Sequence, residues 1–154
     1  MAFLTAKHLP THRILLGRRI QTEAGLFALT SRCLAAGCPP GFATRLHDRL
    51  VRRHARRPVT LGGGLALPHA AVPGLTSPRA AFIRTEAPVP IAAADPEGVT
   101  DILALAVPSP GLAADYDLLM DLTAWLNRPA TRAALHRART AAALQALFTN
   151  CAGP

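Results

Sequence analysis

Gly62-Gly63-Gly64-Leu65-Ala66-Leu67-Pro68-His69 is where the chain changes period. Three glycines make a flexible turn, a short apolar segment follows, and Pro68 closes it just before a single histidine. An apolar run of this length bounded by glycine and proline reads as a strand, here over 64–70. It holds the His69 imidazole at the end of that strand, beside a turn, where a partner can reach it. Imidazole titrates near neutrality and is a competent nucleophile, so an accessible ring can take and return a proton or a phosphoryl group.

Upstream of this pivot the spacing is helical. Thr22 can cap a helix running to about residue 36, with Leu26, Leu29 and Cys33 on one face and Gly37 as its stop. Pro39-Pro40 opens a second helix over 41–54, in which Phe42, Leu46 and Leu50 recur every four residues. Ile14-Leu15-Leu16 reads as a short strand ended by Gly17, and residues 1–12 as a loose lead-in.

Downstream, 79–85 and 100–107 are short apolar runs and read as strands, with Val89-Pro90-Ile91 as a short edge strand. Pro73-Gly74, Asp95-Pro96 and Glu97-Gly98 read as the turns between them. Helical spacing returns in Leu118, Leu122 and Trp125 or Leu126 over 113–126. A further helix follows near 129–138, and Thr140 caps a last one carrying Leu144, Leu147 and Phe148. Helices, then strands, then helices predict one α/β domain whose sheet is covered by helices on both faces.

Composition narrows the function classes. The chain has 154 residues, 50 % hydrophobic and 17 % charged, which suits one packed domain and excludes a disordered chain. One Trp and one Tyr leave little to stack on single-stranded nucleic acid. The formal charge of +8 comes almost wholly from arginine, Lys7 being the one lysine; it favours acidic partners or phosphates. Cys33, Cys38 and Cys151 form no CxxC pair and read as reduced thiols in a cytoplasmic chain. No apolar run approaches a membrane span, and Pro10 and Gly17 break up the basic N-terminal stretch, against a targeting helix.

Other constellations are weak. The glycines can form an anion nest, but there is no GxxxxGK[ST] or GxGxxG to support a nucleotide loop. Arg52-Arg53-His54-Ala55-Arg56-Arg57 is the densest basic run. It reads as a solvated helix end or, functionally, as a phosphate clamp near His69 or a docking patch. His8 and His12 are separated by Pro10 and joined by no carboxylate or thiol, so no metal is implied; His47, His54 and His136 also read as surface residues. Ser31 and Ser109 lack a nucleophile-elbow context.

The segment from Gly62 to His69 resembles the active-site signature of the enzyme IIA components of the bacterial phosphoenolpyruvate-dependent phosphotransferase system. The branch it resembles is the fructose/mannitol-type and nitrogen-related one. The resemblance spans about 14–148: two helices before the signature, then a strand over 80–84, Ala87-Pro88-Val89, the strand Asp101-Ile102-Leu103-Ala104-Leu105-Ala106-Val107-Pro108, and terminal helices. It implies a single α/β domain over 1–154 with a mixed sheet between helical layers. It also implies His69 as the acceptor of a phosphoryl group from an HPr-like phosphocarrier, with no cofactor and no metal.

At the position where the family carries a supporting histidine, this chain has Asp115. Arg53 matches a family arginine, His54 stands where a glutamate follows it, and Pro58-Val59 stands where the family has Ser-Thr. A carboxylate orients or stabilises an imidazolium but repels a phosphoryl group at short range. Two readings therefore stand together: a cytoplasmic, regulatory phosphocarrier, and a degenerate domain that binds a regulatory target protein without efficient phosphotransfer. A nucleic-acid-binding role is disfavoured.

Overall fold

The computed structural model describes residues 3–91 and 95–150. A 3-10 turn at Thr11–Arg13 leads into β1 (Ile14–Arg18), α1 (Glu23–Leu34) and α2 (Phe42–Arg56). The strands β2 (Thr60–Gly62), β3 (Leu65–Ala66), β4 (His69–Val72), β5 (Arg79–Ile91) and β6 (Asp95–Pro108) follow. The chain then runs through α3 (Ala113–Leu126), α4 (Pro129–Arg137) and α5 (Ala141–Thr149).

The helix starts follow their caps. Thr22 Oγ1 accepts from the Gly25 N–H at 3.1 Å, and Thr140 Oγ1 accepts from the Ala143 N–H at 3.1 Å. Pro129 occupies the first turn of α4, where its missing N–H has no partner to lose. Gly41 precedes α2 in the left-handed region at φ +84°.

The sheet is mixed, in the order β1-β5-β6-β3-β2, with β4 also pairing β6. β1 lies parallel to β5, β5 antiparallel to β6, and both β3 and β4 parallel to β6. Helices cover both faces, as the pattern predicts. One core joins α1 and α2 to the sheet through Leu26, Phe27, Leu46, Leu50, Ile83 and Ile102. The other joins α3–α5 through Phe82, Leu103, Leu105, Leu122, Leu126 and Phe148.

Four details differ from the expectations. The segment 64–70 is two strands, because Pro68 has no N–H to donate; yet Leu65↔Asp101, Ala66↔Ile102 and His69↔Leu105 keep one register. His69 therefore begins β4 and does not end a strand. Asp95-Pro96 and Glu97-Gly98 lie within β6, not in turns, and Val89–Ile91 is the far end of β5. Gly98, at φ +78°, sits where the β5–β6 register shifts, and a Cβ there would come within 3.0 Å of the Val89 carbonyl oxygen. A glycine inside a strand here marks a bulge. Finally, the lead-in is tied down: Leu4 and Leu9 are fully buried in the α3–α5 core. Their apolarity has no periodicity from which packing could be read.

Candidate active site

Strand alternation delivers the histidine. Leu65 and Leu67 point into the α3–α5 core, while Ala66, Ala70 and Val72 point to the α1–α2 core. His69 and Ala71 continue the Leu65–Leu67 face. On β6, Val107 likewise follows Leu103 and Leu105. At that end of the sheet the core stops and an open groove of about 730 Å³ begins. His69, Ala71 and Val107 lie at its base, α2 forms one wall and α3 the other.

The imidazole is held by its own strand. His69 Nδ1 lies 3.0 Å from the Leu67 carbonyl oxygen. A carbonyl only accepts, so Nδ1 carries the proton and Nε2 keeps its lone pair. Burial pushes the pKa of His69 below its ordinary value; the Leu67 hydrogen bond opposes this and the nearby Arg53 charge adds to it. The neutral, nucleophilic ring is the favoured form at neutral pH.

The α2 wall is cationic. Arg49, Arg52, Arg53 and Arg56 all line the groove. Their spacing of three, one and three residues places them on one helix face. Arg49 Nη1 donates to the Ala71 carbonyl oxygen at 3.0 Å, and Arg53 Nη1 to that of Arg57 at 3.1 Å. The α3 wall is largely apolar, with Tyr116, Leu119 and Met120. Among the described residues no carboxylate lines the groove.

Asp115 is buried at the start of α3, where its Oδ2 accepts the Leu112 N–H at 2.8 Å. A carboxylate in the first turn also complements the helix dipole. It is not among the groove-lining groups that surround His69. The glycine triplet is not a nest for this groove either. Gly62, Gly63 and Gly64, at φ +74°, +61° and +81°, form the β2–β3 turn. Arg132 from α4 pins that turn, donating from Nη1 to the Gly62 carbonyl oxygen at 2.7 Å and from Nη2 to that of Leu61 at 2.9 Å. The Gly64 carbonyl oxygen accepts from the N–H groups of Thr100 and Asp101.

His54 is not a surface residue. It extends the Leu46–Leu50 row by one more turn and is 8 % exposed. Its ring centroid lies 4.9 Å from that of Phe27, and its Nε2 stands 2.7 Å from Glu23 Oε1, out of line for a hydrogen bond. The four-residue spacing carried that signal. Cys33 and Cys38 are free thiols, and burial pushes the Cys33 pKa up, away from reactivity. Cys151 lies outside the described residues.

Residues 8–151 match the family described as phosphoenolpyruvate-dependent sugar phosphotransferase system, EIIA 2. The chain belongs to this family. It is 32 % identical over 111 residues to a nitrogen regulatory protein of Pseudomonas aeruginosa, covering 72 % of each chain. Among solved structures it resembles the nitrogen regulatory protein IIA-Ntr of Neisseria meningitidis, with a TM-score of 0.80 and 26 % identity over 94 % of this chain and 98 % of that one. The mannitol IIA of Escherichia coli shares the fold at a TM-score of 0.69, with 17 % identity over 90 % of this chain and 96 % of that one. The mixed sheet between helical layers is that of the family. No helix among the described residues is long and apolar enough to cross a membrane.

Proposed function

We propose that this family member is a cytoplasmic phosphocarrier with a nitrogen-regulatory role, and that His69 accepts a phosphoryl group from an HPr-like donor. The observation that carries the reading is the hydrogen bond from His69 Nδ1 to the Leu67 carbonyl, which reserves Nε2 for the groove. The regulatory role is supported by the resemblance to the nitrogen regulatory protein of Pseudomonas aeruginosa.

The step balances as follows. The Nε2 lone pair of neutral His69 attacks phosphorus as the N–P bond of the donor's protonated phosphoimidazole breaks. The donor ring leaves as neutral imidazole. The His69 ring becomes an imidazolium that keeps its Nδ1–H on the Leu67 carbonyl, a hydrogen bond strengthened by the new charge. Phosphoryl transfer depends chiefly on positioning and on positive charge around the equatorial oxygens. Arg53, whose charge is felt by His69, is the first candidate to meet them. Asp115 acts at one remove, by ordering the first turn of the α3 wall.

The test is transfer from phosphoenolpyruvate through enzyme I and the HPr-like carrier of the same organism. Acid-labile label on wild type and none on His69→Ala is the expected result. An unlabelled wild type, with donors active on another acceptor, would leave a binding module that has lost phosphotransfer.

A further inference from the structure

Arg52 and Arg56 stand one turn apart on the groove wall and make no hydrogen bond or ion pair with any described residue. Arg49 and Arg53, on the same face, are anchored to backbone oxygens. Across the groove Tyr116 and Met120, also one turn apart, are 60 % and 70 % exposed. The acidic residues of α3 that are exposed, Asp117 and Asp121, do not line the groove. A cationic row with unspent charge therefore faces an uncovered apolar pair, and His69 lies between them.

We propose that this groove docks a protein donor whose contact face is acidic around an apolar centre, and that the arginine row selects the phosphorylated form of that donor. The inference rests on the phosphocarrier reading. A phosphoryl group adds nearly two negative charges to the donor, and a cationic groove raises encounter rates with such a partner by one to three orders of magnitude. After transfer those charges sit on His69, beside the new imidazolium, and offset part of the row's charge. The spent donor, less anionic and facing a less cationic groove, is released. Tyr116 and Met120 supply the apolar contact that charge alone does not.

Two measurements separate this docking proposal from the acceptor reading. The first is labelling of wild-type His69 by phosphoramidate, a small donor that needs no docking face; failure there sinks the acceptor reading itself. The second is kcat/KM for transfer from the phosphorylated HPr-like carrier, measured from about 50 mM to about 500 mM salt. Wild type should lose about tenfold or more across that range. The variant Arg52→Glu/Arg56→Glu should be slower than wild type by about tenfold or more at low salt, with a flattened salt response. It breaks no hydrogen bond or ion pair among the described residues, so it should fold. The control Arg32→Glu/Arg137→Glu changes net charge equally at exposed residues outside the groove and should transfer nearly as wild type does. Met120→Asp should raise KM more than it lowers kcat. A label from phosphoramidate combined with salt-insensitive transfer, or with equal losses in the two charge variants, would overturn the docking proposal alone.

Discussion

His69 donates its Nδ1–H to the carbonyl of Leu67, two residues earlier across the proline that interrupts the strand pair on β6. One backbone oxygen thereby fixes both the tautomer and the direction of the ring. Pro68 also serves the ladder from its other side, since its carbonyl accepts the Leu105 N–H at 3.0 Å. The proline removes a donor without moving the histidine out of register.

The first prediction concerns pH. Burial and Arg53 both hold the His69 pKa below its ordinary 6.5, so the ring should remain neutral and reactive as pH falls through that value. Labelling by phosphoramidate should therefore decline only at more acid pH. Arg53→Gln removes one of the lowering influences, and its His69 should titrate at higher pH than wild type in an NMR titration. Because burial is the larger cause, the return should be partial; a downward shift would contradict the assignment.

Arg132 ties α4 to the β2–β3 turn and to the end of α3, where its Nε donates to the Leu126 carbonyl at 2.6 Å. Arg132→Met should cost about 2 kcal/mol in urea unfolding, since half-buried carbonyls lose a charged donor. Phosphoramidate labelling of His69 should survive the change at temperatures where the variant is folded, because this clamp is not part of the groove.

Arg84 and Asp101 form a bidentate pair across β5 and β6, at 2.7 and 2.9 Å, and Arg84 also donates to the carbonyls of Leu135 and Ala138 at the end of α4. Both side chains are largely buried. Arg84→Met leaves the carboxylate without its partner and should cost about 3 kcal/mol. Arg84→Met/Asp101→Leu should recover much of that loss. Equal stability of the single and double variants would show that the pair, and not the carbonyl bonds, is unimportant.

Gly64 combines φ +81° with close quarters: a Cβ would lie 3.1 Å from Thr100 Oγ1. Gly17 has φ +65° but nothing within 4 Å. Gly17→Ala should therefore cost about 1 kcal/mol, from backbone conformation alone. Gly64→Ala should cost more, about 2 kcal/mol, and thermal melts of the two variants compare the contributions directly.

The helices, their starts at Thr22 and Thr140, and the layered α/β class were legible in the residues alone. Those features depend on neighbours within one or two turns, and the spacing of Leu, Phe and Thr records them. The motif that ends at His69 was legible too, and it marked that residue as the candidate. Tertiary structure decided the rest. β5 and β6 run through Pro90 and Gly98 because cross-strand pairing over the whole hairpin outweighs local turn preference. Leu4, Leu9 and His54 are buried because the helices and sheet enclose them. The site is assembled across α2, β4 and α3, from residues spread between Arg49 and Thr123. Arg49, Tyr116 and Met120 carry no motif that links them to His69. Their meeting follows from sheet register and helix packing, which are long-range and leave no local trace.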